Sequence, residues 1–394
     1  LKTLAVVVLV AVLGVALIVA IARPAEPTTG SLGSLGATCY VIASDARSEV
    51  RSFAQVLQDG GHAVWVCDGT DDQEEIAAAI NTGAGKIVLS EGTFNISDQI
   101  IPDRRDSYTL EGYGRSTLIK AAVAEMGWMV VLEGDGIVVR DLSLDGDSTT
   151  NETHGLLLKD STNFVIERIH VTRVSRGIYV NDSHHGIVHG NLVEGTVSPE
   201  PSANSAISVG AQQYEVPGSS HVTVSDNIVD NCYRGIRLCN AYQVTVVGNV
   251  ISNITEPHNR RGLILCCGED QIAVGNYISG ANIDIGNYYI EAKRIIVANN
   301  IVDKDIRAIG GHGDWDLPAS DVIIQGNICR NIRLVKEMVG WTENNYRFAI
   351  KDNKVSGDIE IDAQNIDTVV SGNEVGGTII DNGTNTVIRG HSSP

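Results

Sequence analysis

From about residue 137 the chain repeats itself, and this repeat limits what it can fold into more than any other feature. An Asn followed by an apolar pair recurs at Asn191, Asn227, Asn249, Asn276, Asn300 and Asn327, and Asn353 and Asn373 continue the column. The column spans 182 residues in seven steps, a mean of 26. Just before each Asn lies an alternating strand pattern, as in Val222-Thr223-Val224 and Val244-Thr245-Val246. Earlier in each unit comes a third, as in Gly177-Ile178-Tyr179-Val180 and Gly235-Ile236-Arg237-Leu238. Three short period-two strands per unit cannot bury their apolar faces alone, whereas stacked units bury a continuous core. The expected fold is an all-β parallel β-helix solenoid of about ten coils, a rod on the order of 50 Å at ~4.8 Å per coil.

Composition agrees. Of the 394 residues 43% are hydrophobic, only 5% are aromatic, and 41 are Gly, which suits many short strands and tight turns. The net charge of −19 argues against a nucleic-acid partner, since phosphate binding needs a basic face. The Asn column is expected at the corners between strands, where Asn tolerates positive φ and stacked amides can form a ladder.

Residues 1–22 read as a signal peptide or a membrane anchor. Leu4–Ile21 is an apolar run of 18 between Lys2 and Arg23, and Ala20-Ile21-Ala22 is a small-x-small sequence. Either reading exports the rest of the chain to the extracellular space or the cell surface, and an uncleaved run would engage the membrane. Residues 23–36 read as a linker. Residues 37–136 read as a cap with the first coils, and 137–394 as the β-helix repeats. In the cap, strands are expected near Tyr40–Ile42 and Ala63–Val66, and helices near Glu49–Leu57 and Gln73–Ile80. The second helix would be capped by Asp71 or Asp72 and would cover the apolar end of the solenoid.

The entry segment Cys67 to Phe94 looks like the DGTxD…AI…GxVxLxxGTF segment of many β-helix proteins. With the Gly-Ile-x-Leu and Val-x-Val-x-x-Asn-x-Ile units, it resembles the pectate-lyase-like right-handed parallel β-helix superfamily over about residues 38–390. That resemblance implies a polysaccharide or cell-surface glycan as partner, bound along one sheet and its flanking loops. It covers lyases, glycoside hydrolases and non-catalytic adhesins or tailspike-like modules alike, some of them homo-oligomers.

Insertions at 195–204, 210–220, 255–261 and 310–320 flank the Gly-Ile-x-Leu strands and mark a groove there. Alternation turns Tyr179, Arg237, Ile264 and Asp284 outward from it. With Arg176, Arg234 and Arg261 this gives a basic strip on an acidic protein, suited to carboxylates of acidic sugars, with Tyr179 or Tyr214 stacking on a sugar face. These arginines could equally pair with Asp182, Glu215 or Glu256. Arg237 is the candidate cationic base of a lyase. Gly311-His312-Gly313-Asp314-Trp315-Asp316 resembles the Gly-His-Gly element of polygalacturonase-like hydrolases and would make His312, Asp314 and Asp316 the hydrolytic residues. The other elements of that family do not occur in the expected order. Asp182, His184 and His185 read as a general-base cluster or a polar turn. Asp141, Asp145, Asp147 and Glu152 offer oxygens to Ca²⁺ or form a solvated acidic turn. Cys239 and Cys266, 27 residues apart at equivalent strand ends, can reach each other across one coil for a disulfide. Cys266-Cys267 with His258 contains no CxxC pair and does not read as a metal site.

Overall fold

The computed structural model describes residues 37–147, 153–196, 205–211, 218–257, 259–286, 291–309, 319–335 and 344–393. They wind into a parallel β-helix with three strands per coil. The coil Ile178–Asn181, His184–His189, Leu192–Glu194 pairs in register with Ile207–Gly210, Ser220–Ser225, Ile228–Asp230 of the next. We call the three strand positions the first, second and third faces. The first two belong to one 29-stranded sheet, and the third is a 12-stranded sheet. The stack makes about 11 turns.

The repeat motif explains the stacking. Ile236 and Leu238 of the first face, Val246 of the second and Ile251 of the third are fully buried. Each such side chain contributes about 1.5–3 kcal/mol. The Gly that opens the first-face motif is a matter of space. A Cβ on Gly235 would lie 2.0 Å from the carbonyl oxygen of Gly262 in the next coil, and one on Gly177 would lie 2.3 Å from that of Ala206.

The Asn column is a ladder, as expected, but the corner works differently. The left-handed residue is the one before each Asn: Gly190 (φ 62°), Asp226 (52°), Gly248 (68°), Asn299 (55°), Asp352 (53°). This turn leaves the Asn side chain inside the coil. From Asn191 to Asn353 every Nδ2 donates to the Oδ1 of the Asn one coil on, at 2.9–3.0 Å. The same Oδ1 accepts the backbone N–H of the preceding Asn at 2.9–3.0 Å. These amides are buried and meet the rule that buried polar groups be bonded.

The N-terminal end has two helices, α1 (Ser48–Asp59) and α2 (Gln73–Asn81). The strand Thr38–Ile42 pairs with Ala63–Val66 on one side and Lys86–Leu89 on the other. Helix α2 buries Ile76, Ala79 and Ile80 and packs against Thr38–Ile42, Ala63–Val66 and Gly92–Ile96. Asp72 stands at its N-cap position without bonding the first helical amides. Its carboxylate instead accepts the N–H groups of Gly69 (3.0 Å) and Asn95 (2.7 Å), which ties the helix start to the first third-face strand. Among the described residues no helix is long and apolar enough to cross a membrane. The apolar run at 4–21 lies outside them.

Candidate functional site: the outer surface of the first face

Strand alternation and register line up the outward side chains of the first face in rows. One row runs Leu157, Tyr179, Ser208, Arg237, Ile264, Asp284, Arg307, Arg333, Glu360, one residue per coil. The row beside it holds Trp128, His154 and Arg176, then Arg234 and Arg261 further along.

The N-terminal half of this surface is aromatic and cationic around a largely buried Tyr179, with one ion pair, Lys159–Glu133, beside it. The Trp128 ring lies 4.8 Å from that of His154 and 6.0 Å from that of Tyr179, tilted by 58° and 30°. The Tyr179 hydroxyl donates to Asn181 Oδ1 at 2.9 Å, and His154 Nδ1 meets Ser175 Oγ at 2.6 Å. Burial, reinforced by the Arg176 charge, brings the His154 pKa down to about 4. Burial also lowers the pKa of Arg176, and Arg237 repels it further. Tyr179 is held well above its ordinary pKa by burial, against the pull of Arg237 and Arg176. Arg237 Nη2 donates to Cys239 Sγ at 3.2 Å. Two like charges thus converge on one tyrosine in a chain whose net charge is −19.

The C-terminal half is charge-paired. Glu256 Oε1 accepts from both Arg234 (2.8 Å) and Arg261 (2.8 Å), and all three side chains are nearly buried, at 4%, 6% and 12% exposure. Asp284 holds Arg307 in a buried bidentate pair at 2.9 and 2.8 Å. Arg333 meets Glu360 at 3.0 Å.

Of the residues singled out from the sequence, Arg176, Tyr179 and Arg237 lie together. Arg234 and Arg261 lie together around Glu256, one of the three acids that the sequence offered them. Tyr214, His312, Asp314 and Asp316 fall outside the described residues. Trp128 escaped the sequence reading because its strand, Gly127–Asp135, precedes the first clear repeat. The signal available was its aromatic ring at the residue after Gly in an apolar strand.

The other candidates resolve into local structure. Asp145 and Asp147 both meet Arg173, Asp147 also meets Lys120 (2.9 Å), and Asp141 meets Arg168 (2.8 Å), so these acids face cations rather than one another. Glu152 lies outside the described residues. Asp182 sits at a left-handed corner (φ 45°). Its Oδ2 accepts from Asn181 Nδ2 at 2.7 Å, while Oδ1 is buried without a partner among the described residues. Burial raises the Asp182 pKa. His184 Nδ1 meets Ser220 Oγ (2.9 Å) and His185 stacks on His221 (4.5 Å), both across one coil. The register pairs Cys239 with Cys266, as their spacing predicts, and no disulfide joins any of the seven cysteines.

Comparison with known proteins agrees with this architecture. Residues 129–268 match the family described as "Right handed beta helix region". A search of the curated proteins finds no match to the sequence. Among solved structures the chain is similar to PfbA, a surface adhesin of Streptococcus pneumoniae, at 12% identity and TM-score 0.54, over 82% of this chain and 90% of that one. It is similar to the DFA-IIIase of Arthrobacter chlorophenolicus A6 without its lid, at 12% identity and TM-score 0.53, over 89% and 98%. It is similar to the endo-xylogalacturonan hydrolase of Aspergillus tubingensis, at 13% identity and TM-score 0.50, over 82% and 96%. Identities this low speak to fold alone. The chain is a right-handed parallel β-helix solenoid, the architecture that its 26-residue repeat and its superfamily resemblance imply.

Proposed function

We propose that this protein binds polysaccharide along the N-terminal half of the first face, with acidic glycans preferred. The observation that carries the proposal is the platform of Trp128, His154 and Tyr179 with Arg176 and Arg237 beside it. Aromatic faces stack on the apolar faces of sugar rings, and guanidinium forks bind carboxylates in two-point fashion. The solved structures that share the fold include a surface adhesin and a polysaccharide hydrolase, which supports a glycan partner outside the cell. In this reading the apolar run at 4–21 directs export or holds the protein at the surface.

The test is binding of uronate-rich and neutral polysaccharides to the full chain, read by tryptophan fluorescence and calorimetry, with and without Ca²⁺. Saturable binding that prefers the uronate polymer and weakens in Arg176→Gln supports the proposal. Binding that ignores both charge and Arg176 refutes it. Product analysis of the same mixtures separates the enzyme from the adhesin. Unsaturated ends lost in Arg237→Ala mark a lyase. New reducing ends lost in Asp314→Asn or Asp316→Asn mark a hydrolase. Unchanged polymer marks an adhesin.

A further inference from the structure

Beside the platform, on the same outward side of the first face as Arg237, three cysteines converge. Cys239 and Cys266 close consecutive first-face strands and are register partners, so their side chains leave the sheet on the same side. Cys267 comes next in a left-handed conformation (φ 55°), at the corner position that Asn240 (φ 55°) takes one coil earlier. That conformation suits Asn, Asp or Gly better than Cys. Here it leaves the Cys267 sulfur 3.9 Å from that of Cys239, and all three sulfurs lie within 4.8 Å of one another. The three thiols and Ile264 form their own buried apolar cluster. Of the three cysteines only Cys239, at 6%, retains any exposure.

We propose that Cys239, Cys266 and Cys267 form a three-thiolate site for one thiophilic d¹⁰ cation of the Zn²⁺/Cu⁺ class. Three sulfurs bound at ~2.3 Å to one ion stand about 3.8–4.0 Å apart, which is the spacing that Cys239 and Cys267 already have. Sulfur donors in an apolar, water-excluding pocket select soft cations over Ca²⁺ or Mg²⁺. Arg237, donating to Cys239 Sγ at 3.2 Å, supplies the outer-sphere positive charge that a surplus of thiolate requires. Apolar packing of small side chains would account for buried cysteines in strands. It does not call for one at a left-handed corner aimed at two others. On binding, each thiol gives its S–H proton to solvent as its S–metal bond forms, and no electrons are transferred.

The test uses the full chain, reduced and freed of metal by a chelator, then titrated with Cd²⁺. Uptake is read as sulfur-to-cadmium charge-transfer absorption and as metal per chain after gel filtration. One Cd²⁺ per chain is expected. Cys267→Ser should weaken it by more than the ~10–100-fold that outer-sphere changes cost, and Arg237→Gln by an amount within that range. Cys329→Ser, which changes a buried cysteine outside the cluster, should leave it unchanged. X-ray absorption of the unmodified Cd²⁺ protein, expected to count three sulfurs, stands even if a variant fails to fold. No stoichiometric uptake overturns the site, as does a sulfur count below three or uptake indifferent to Cys267→Ser. So does a Cys239–Cys266 disulfide in the chain as isolated.

Discussion

The two halves of the first face are built on the same parallel strand position and differ in what projects from them. Toward the N-terminus the outward rows hold Trp128, His154, Tyr179, Arg176 and Arg237, with like charges brought close. From Arg234, which shares a coil with Arg237, toward the C-terminus the outward charges meet opposites, as in Arg234–Glu256–Arg261, Asp284–Arg307 and Arg333–Glu360. A solenoid repeats its backbone, so a site on it must be written entirely in side chains. Closed ion pairs secure the coils, while an aromatic surface with converging cations suits an anionic partner.

The sharpest way to break this contrast is Glu256→Gln. It removes the carboxylate that two buried guanidinium groups share and should cost about 3–5 kcal/mol in denaturant unfolding. A midpoint that barely moves would mean that Arg234 and Arg261 do not depend on Glu256 and belong with the binding half. Next in size is the ladder, which begins at Asn191, in the coil of Tyr179, and runs on through the charge-paired half. Asn249→Ala and Asn300→Ala should each cost about 2–3 kcal/mol, because each strands buried amide partners in two neighbouring coils. Unequal losses would show that one half is held by something other than its ladder.

Smaller effects separate binding from stability. Trp128→Ala should weaken glycan binding about 10-fold, or ~1.4 kcal/mol, with little change in melting temperature. Arg333→Ala, in a half-buried surface pair worth at most about 1 kcal/mol, should leave binding unaltered. The subtlest test is pH. The folded-state pKa of His154 is about 4, against an ordinary 6.5. Between those values the unfolded chain takes a proton that the folded chain refuses, so His154 makes stability fall as pH drops from 6.5 to about 4. Histidine NMR should find His154 still neutral at about pH 5.5, and His154→Asn should flatten that part of the stability profile.

Much of this was legible in the sequence, for a physical reason. Period-two alternation and a strand motif that recurs once per coil, whatever the length of the loops between, fix which side chains share a row, and Tyr179, Ser208, Arg237, Ile264 and Asp284 do share one. Pairing is harder to read. Glu256 reaches Arg234 and Arg261 from a loop whose path obeys no periodicity. The corner lies one residue before the position expected for it, although its signal is present in the Gly, Asp or Asn immediately before each ladder Asn. The third cysteine is hidden for a related reason. Spacing aligns Cys239 with Cys266, but only the left-handed turn at Cys267 brings its sulfur back to them.

The ladder has one more consequence, for how such a molecule changes length. Every rung between the two ends, from Asn227 to Asn353, donates to and accepts from an Asn in the same way, so any of these rungs can succeed any other. Removing or duplicating one whole coil rejoins like with like and keeps the seam intact, whereas cutting a fraction of a coil leaves an amide facing a gap. Gain and loss of genetic material in whole-coil units is therefore the tolerated route. A lineage carrying this seam can lengthen or shorten its binding surface in steps of one strand spacing without redesigning its interior.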